Sequence, residues 1–383
     1  MTRWLERRWV APAYSGWLML GLALFFFAAA TNTMAGWLYV MSGVMLALLL
    51  LGAWLPVRSL RQVNVLRSPI EPVSVGDTVV VELTLHNASI RPKTLLQARD
   101  RLPPELGTNI VRSLDSIGAK QAENWVYYLP ADRRGVYRWQ TVELRTATPL
   151  GLFWCRRSHQ APAHAVIYPT VLPLGRCPLI DEIGRNSSLA TQSNARAQGA
   201  TEGVTRTLRP YRWGDPTRLI HWRTSARYGE LRVRELEVFT GGQDVVICLD
   251  SASAWDPDAF ESAVSAAASL YFYALRQGFT VNLWTASTGL VRGDRAVLEA
   301  LAAVSNAEPP IAERLPEQPI VWLSQNANSL SQLPSGSRWM LWQQPWNQDE
   351  VSVSVSTPAP AMLPGTLIRP DLALQPQLQS ALH

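Results

Sequence analysis

The sequence predicts two transmembrane helices, then a β-sandwich-like domain, then a doubly wound α/β domain, and three observations carry this reading. No charged residue lies between Val10 and Val57. Apolar and polar residues then alternate with period two through several short runs between Val73 and Thr170. Beyond Gly242, continuous apolar runs alternate with segments of 3.6-residue period. The boundaries read as a hairpin over 1–57, a β-rich domain over 58–170, and an arginine-rich linking segment over 171–241. The α/β domain follows over 242–347, and a flexible tail with a last weak strand over 348–383.

The uncharged stretch is long enough for two spans, since a bilayer core takes about 20 apolar residues per helix. A charge at mid-bilayer costs about 2.5–3.5 kcal/mol, so its absence over this length is informative. "TNTMAG" (Thr31–Gly36) is the natural turn, which sets helices near Ala13–Ala30 and Gly36–Leu55. Arg3, Arg7 and Arg8 precede the first span, and Arg58, Arg61 and Arg67 follow the second. Positive flanks on both sides of a neutral turn predict both termini, and the soluble domains, on the cytoplasmic face of the inner membrane. A cleaved signal peptide is the competing reading of the first span.

In the β-rich part, Val79, Val81, Leu83 and Leu85 alternate with Val80, Glu82, Thr84 and His86 after a turn at Gly76-Asp77. That period marks a strand with one buried face. "NWVYYLP" (Asn124–Pro130), "GVYRWQTVELRT" (Gly135–Thr146) and "HAVIYPT" (His164–Thr170) repeat the pattern, as a sandwich would require. Gly135 and Gly151 are expected at positive φ, with Leu152 and Phe153 anchoring their loop into the core.

The α/β part opens with Val245–Leu249, an apolar run typical of a buried parallel strand. Asp256 is placed to cap a helix with Pro257 in its first turn. Phe260, Val264, Ala267, Ala268 and Tyr271 keep that helix's period, and Gly278 ends it. A second helix at Asp294–Val304 and strands at Pro319–Ser324 and Arg338–Gln343 complete the alternation. Ligand sites in such sheets lie at the carboxyl ends of strands, which here singles out Asp250, Ser251 and Ser253.

The net charge is +5, and Lys93 and Lys120 are the only lysines among 35 basic residues. Arginine's planar fork suits fixed carboxylate pairs and aromatic stacking. The three cysteines are far apart with no C-x-x-C, so neither a disulfide framework nor a zinc site is written here.

The arginines concentrate in "TLRPYRWGDPTRLIHWRTSARYGELRVRE" (Thr207–Glu235). Asp215, His221 and Ser225 are an acid, a base and a nucleophile by type, yet no other catalytic motif accompanies them. Arginine with Tyr211, Trp213 and Trp222 would suit nucleic acid, but Glu202, Asp215, Glu230, Glu235 and Glu237 are interspersed. The preferred reading is a clasp. Asp215 caps a helix begun at Pro216, Leu219, Trp222 and Ala226 share one face, and Glu230–Phe239 runs as a strand pairing with one of the two larger sheets. Arg209, Tyr211, Arg212, Gly214, Asp215, Arg218, His221, Trp222 and Arg227 are its candidate residues, as structural clasp or partner surface. No catalytic residue, nucleic acid or small-molecule substrate is expected.

The order of these parts, with "RRGVY", "PLGLF", "YRWGDPTRLIHWRTSAR" and "VVICLDSAS", resembles the bacterial domain-of-unknown-function family 58 over about residues 1–325. Tyr211, Gly214, Asp215, Arg218, Ile220, Trp222, Ala226 and Arg227 carry the most specific likeness. The resemblance implies a von Willebrand factor A-like C-terminal domain and a MoxR-type AAA+ ATPase as partner. The function it implies is a membrane-anchored adaptor in assembly or maturation of other complexes, and not an enzyme. A metal-binding A domain has Asp-x-Ser-x-Ser, whereas here Ala252 and Ala254 stand at both serine positions. Asp250 and Ser253 therefore form a degenerate site, with Mg²⁺ an outside candidate and no cofactor the expectation. The alternative function is a metal-dependent binding module for an acidic ligand.

Overall fold

The computed structural model describes residues 10–183, 204–212, 220–237, 244–311, 318–334, 336–343 and 363–380, with isolated positions between them. The chain divides into two compact units, residues 1–169 and 170–383.

In the first unit two helices, α1 (Tyr14–Thr33) and α2 (Gly36–Ser59), form an antiparallel hairpin with Met34 at positive φ in the turn. Both are long and apolar enough to cross a membrane. They touch through small residues. Gly16, Ala23 and Ala30 recur every seventh position on the buried line of α1, facing Ser42, Leu49 and Gly52 of α2. The Ser42 hydroxyl donates to the Ala23 carbonyl at 2.9 Å. Small side chains let backbones approach closely, which is how helices associate when the surroundings are as apolar as they are. Large residues such as Phe25, Phe27, Leu50 and Trp54 point outward instead.

The rest of this unit is a sandwich. One sheet is antiparallel, in the order β2 (Val63–Arg67), β4 (Thr78–Asn87), β7 (Ala122–Pro130). Val81 opposes Tyr127 and Leu83 opposes Trp125, so both strands aim their apolar sets at one core. The facing sheet runs β1 (Ala11–Pro12), β9 (Phe153–Tyr168), β8 (Gly135–Thr146), β5 (Lys93–Asp100), β6 (Val111–Ile117), with β3 (Val73–Ser74) also on β9. Within the core, Arg67 holds Asp100 through two hydrogen bonds of 2.7 and 3.1 Å, and Tyr127 donates to the same carboxylate at 2.5 Å. Burial, and then the Asp100 charge, push the Tyr127 hydroxyl well above its ordinary range.

Two glycine expectations divide. Gly151 has φ +67, as expected, whereas Gly135 is not at positive φ. Gly135 is required by crowding, because a Cβ there would lie 2.9 Å from the Tyr137 ring. Leu152 is also not a core anchor for the sandwich. It inserts between the bases of α1 and α2, its Cδ1 3.1 Å from where a Gly52 Cβ would stand.

The second unit contains a six-stranded sheet in the order β14 (Gly289–Val291), β13 (Thr280–Thr285), β12 (Asp244–Leu249), β15 (Ile320–Ser324), β16 (Arg338–Trp342), β17 (Gly365–Ile368). All neighbours are parallel except β13 and β14. The long helix Pro257–Arg276 packs on the central strands, burying Phe260, Val264, Ala267, Ala268 and Tyr271. Asp256 caps it, accepting from the Ala259 amide at 3.1 Å.

A second helical layer is not seen among the described residues. Val245, Ile247 and Leu249 share a core with Val297 and Leu301 of the helix Asp294–Ala303 and Leu378 of the helix Leu374–Leu378. All three helices thus lie on one face. Val246, Cys248, Trp284 and Trp322 on the opposite face are covered by the 3₁₀ turn Ala327–Gln332 and by connections, among the described residues. The tail holds a strand. Gly365–Ile368 is a full edge strand, and a Cβ at Gly365 would collide with the Trp339 ring beneath it. The run "VSVSVS", expected as the last strand, lies outside the described residues.

Candidate functional site

The arginine-rich segment folds as a two-stranded antiparallel ribbon, β10 (Val204–Pro210) with β11 (Arg232–Glu237). Among the described residues β11 pairs with β10 rather than with one of the larger sheets, contrary to expectation. A helix, α3 (Trp222–Tyr228), sits between the strands and begins six residues later than "PTRLIHWRTSAR" suggests. Its cap is His221; Asp215, the expected cap, lies outside the described residues. The His221 Nδ1 meets the Thr224 amide at 3.2 Å and the Thr224 hydroxyl at 2.7 Å. Gly229, at φ +73, closes the helix with its amide on the Ser225 carbonyl.

Ser225 ties this helix to β11. Its hydroxyl donates to the His221 carbonyl at 3.1 Å and accepts from the Arg232 amide at 2.8 Å. The His221 amide returns a bond to the Arg232 carbonyl at 2.8 Å, and Ile220 bridges Val233, both buried. The Tyr211 amide bonds the Leu231 carbonyl across the ribbon. These contacts make the segment self-closing. They also use the Ser225 hydroxyl on backbone groups and the His221 Nδ1 on Thr224, so the Ser–His pair that a nucleophile would need is not made.

The expected buried face of α3 is not buried. Trp222 is 64% exposed and Tyr228 59% exposed, with Ala226 and Arg227 also exposed. The Arg232 guanidinium lies over the Tyr228 ring at 4.6 Å. Of the other sequence candidates, Arg209 reaches the Pro210 carbonyl at 3.3 Å and Arg212 is exposed. Gly214, Asp215 and Arg218 lie outside the described residues.

At the carboxyl end of β12, Asp250 is buried and its Oδ2 accepts from both Ser253 and Ser324, each at 2.7 Å. The Trp255 indole donates to the Asp250 carbonyl at 2.6 Å. Ser251 turns away, accepting from the Ala286 amide at 3.1 Å. Ser253 lines a shallow cavity of about 490 Å³ with Gln325 and Asn326. Ser324 was the residue the sequence did not offer. It lies 74 positions from Asp250 and meets it only because β15 neighbours β12. Among the described residues no group of three or more His, Cys, Asp or Glu gathers anywhere. The Asp250 carboxylate thus accepts two hydroxyl protons on one oxygen.

Residues 207–315 match the family described as "Protein of unknown function DUF58". The match takes in the ribbon from β10 onward, α3, and the first half of the parallel sheet. An uncharacterized protein, YeaD of Bacillus subtilis (strain 168), is 25% identical over 218 residues, 54% of this chain and 52% of that protein. The chain thus spans about half the length of this curated relative. Among solved structures, the CARDB domain of PF1109 from Pyrococcus furiosus is 13% identical, with a TM-score of 0.20 over 27% of this chain and 94% of that one. A beta-glucosidase from Listeria innocua is 12% identical, with a TM-score of 0.17 over 26% of this chain and 16% of that one. Scores this low assign neither fold nor function.

Proposed function

We propose that this chain is a membrane-anchored interaction protein that presents its two soluble units in the cytoplasm and works with a MoxR-type AAA+ ATPase on other complexes. The observation that carries the interaction reading is the ribbon. It spends its buried hydrogen bonds on holding itself together and leaves Trp222, Tyr228 and Arg227 in solvent. Trp, Tyr and Arg are the residues in which binding hot spots are richest. The partly parallel sheet, with Asp250 at the carboxyl end of a central strand, supports reading the second unit as a metal-free von Willebrand factor A-like domain with one helical layer. Two apolar helices, fastened to the sandwich through Leu152, support the anchor.

A metal-dependent module for an acidic ligand is the competing reading, resting on Asp250 and Ser253 beside the cavity. Magnesium titration of the folded protein separates the two: a Mg²⁺-dependent rise in melting temperature lost in Asp250→Asn would favour the competitor.

The direct test is co-purification after brief cross-linking from gently solubilised membranes. An AAA+ ATPase should be enriched with the wild type and lost with Trp222→Ala, which should fold normally because the side chain is exposed. Equal recovery with Trp222→Ala would remove the ribbon from the interface, and no ATPase at all would sink the adaptor reading.

A further inference from the structure

At the foot of α2 the first unit holds a cavity of about 920 Å³ whose lining includes Arg58, Arg61, Arg91 and Lys93 and no carboxylate. Among the described residues, none of these four cations has an ion-pair partner. Arg58 stacks over Trp54 at 5.2 Å. Lys93 is the telling residue: it is 7% exposed as a whole, it lines the cavity, and among the described residues no hydrogen bond engages its ammonium. Burial, then Arg58 and Arg91, hold its pKa below the ordinary lysine value. An unpaired ammonium beside like charges is costly to keep, and an anion in the cavity would relieve it.

The wall that carries Arg91 and Lys93 is built rigidly. Asn87, fully buried, donates its side-chain amide to the carbonyls of Arg91 and Gly118, both at 2.9 Å, and to that of Ile117 at 3.2 Å. Its Oδ1 accepts from the Ser89 hydroxyl at 2.7 Å. The Ala88 amide bonds the Gln62 carbonyl at 2.9 Å, tying this loop to the end of α2. One side of the opening is apolar. Ile90 is 79% exposed, and Leu55 on the lining continues the outward face of α2 through Leu51 and Trp54.

We infer that this cavity is a binding site for the phosphate headgroup of an anionic glycerophospholipid, with the acyl chains lying along Leu51, Leu55 and Ile90. The cationic floor recognises phosphate, a chemistry that free phosphate shares. The apolar rim, continuous with a helix of membrane-spanning length, favours the lipid as its source. The inference rests on the membrane anchoring proposed above. Arg58 also stands in the last turn of α2, where cations sit immediately beyond the hydrocarbon region.

The test is native mass spectrometry of the full chain in detergent, titrated with phosphatidylglycerol, with phosphatidylcholine, or with inorganic phosphate. Wild type should retain phosphatidylglycerol in preference to phosphatidylcholine. Arg58→Gln and Lys93→Gln should each weaken retention about fivefold. Arg133→Gln removes an exposed charge elsewhere on the sandwich and should leave retention unchanged. Lys93→Gln should fold, because it deletes a charge without a partner. Equal weakening by Arg133→Gln would overturn the site in favour of diffuse surface charge. Phosphate binding without any lipid adduct would overturn the lipid assignment. A chain that stays soluble without detergent would overturn the anchor itself, whereas a detergent-requiring chain with no lipid preference would overturn the site alone.

Discussion

The carbonyl oxygen of Leu152 lies against Gly16, where any side-chain carbon would strike it. The same oxygen accepts from the Ala13 amide at 2.8 Å, and the Ser15 hydroxyl donates to Gly151 at 2.9 Å. Through this loop, and through the short β1–β9 pairing, the helix hairpin and the sandwich become one rigid unit.

Gly16→Val should therefore loosen that junction, lowering stability by about 1–3 kcal/mol, the usual range for overpacking. Gly52→Ala should cost less, because its neighbours are flexible Leu152 side-chain atoms at 3.1 and 3.3 Å. Gly21→Ala, with nothing within 4 Å, should be harmless. Thermal unfolding of the detergent-solubilised chain orders the three.

Asp100→Asn should be among the most damaging single changes in the sandwich. It would leave Arg67, whose side chain is 1% exposed, without its counter-charge. Breaking such a pair costs about 3–5 kcal/mol. Replacing both partners together, Arg67→Met with Asp100→Leu, should recover much of the loss in denaturant unfolding.

Ser225→Ala should open the ribbon without touching the rest. It strips the Arg232 amide of its acceptor, a loss of about 1–3 kcal/mol where the group stays buried. Hydrogen exchange should speed up at 220–233 and stay unchanged in the parallel sheet. Unchanged protection at Arg232 would mean that the clasp is not held there.

The sandwich should weaken on mild acidification. Burial lowers the His159 pKa from its usual 6.5, and its Nε2 is buried without a partner. As pH falls through 6.5 the unfolded chain takes up a proton that the folded chain resists, so stability is present above that value and declines below it. The decline levels off once pH passes the folded value. His159→Gln should flatten the pH dependence of unfolding between about pH 7 and 5.

The parts most legible in the sequence are those governed by a single local rule. An uncharged stretch of apolar residues gave the hairpin to within a few residues, and alternation placed Val79, Val81, Leu83 and Leu85 on the buried face. Asp256 with Pro257 announced its helix because that cap is made by the residue itself. The misreadings have one physical cause, which is partners far apart in sequence. The helix Trp222–Tyr228 begins where His221 and Ser225 meet Arg232, a contact that no local signal announces. The pairing of Arg67 with Asp100 has no signal in the sequence, because two sheets bring the residues together. Gly365–Ile368 is too short to show a period, and it is a strand because β16 offers it an edge.

The central claim is that both soluble units sit on the cytoplasmic face, anchored by the helix hairpin. Cysteine labelling tests it most directly, because Cys155, Cys177 and Cys248 are buried and should stay silent. Single cysteines would be placed at exposed Asn32 in the helix turn, Asp115 in the first unit and Asp371 in the second. With a membrane-impermeant maleimide on intact spheroplasts, Asn32→Cys should label, and Asp115→Cys and Asp371→Cys should label only after lysis. Labelling of Asp115→Cys or Asp371→Cys in intact spheroplasts, or release of the chain from membranes by alkaline carbonate, would contradict the account.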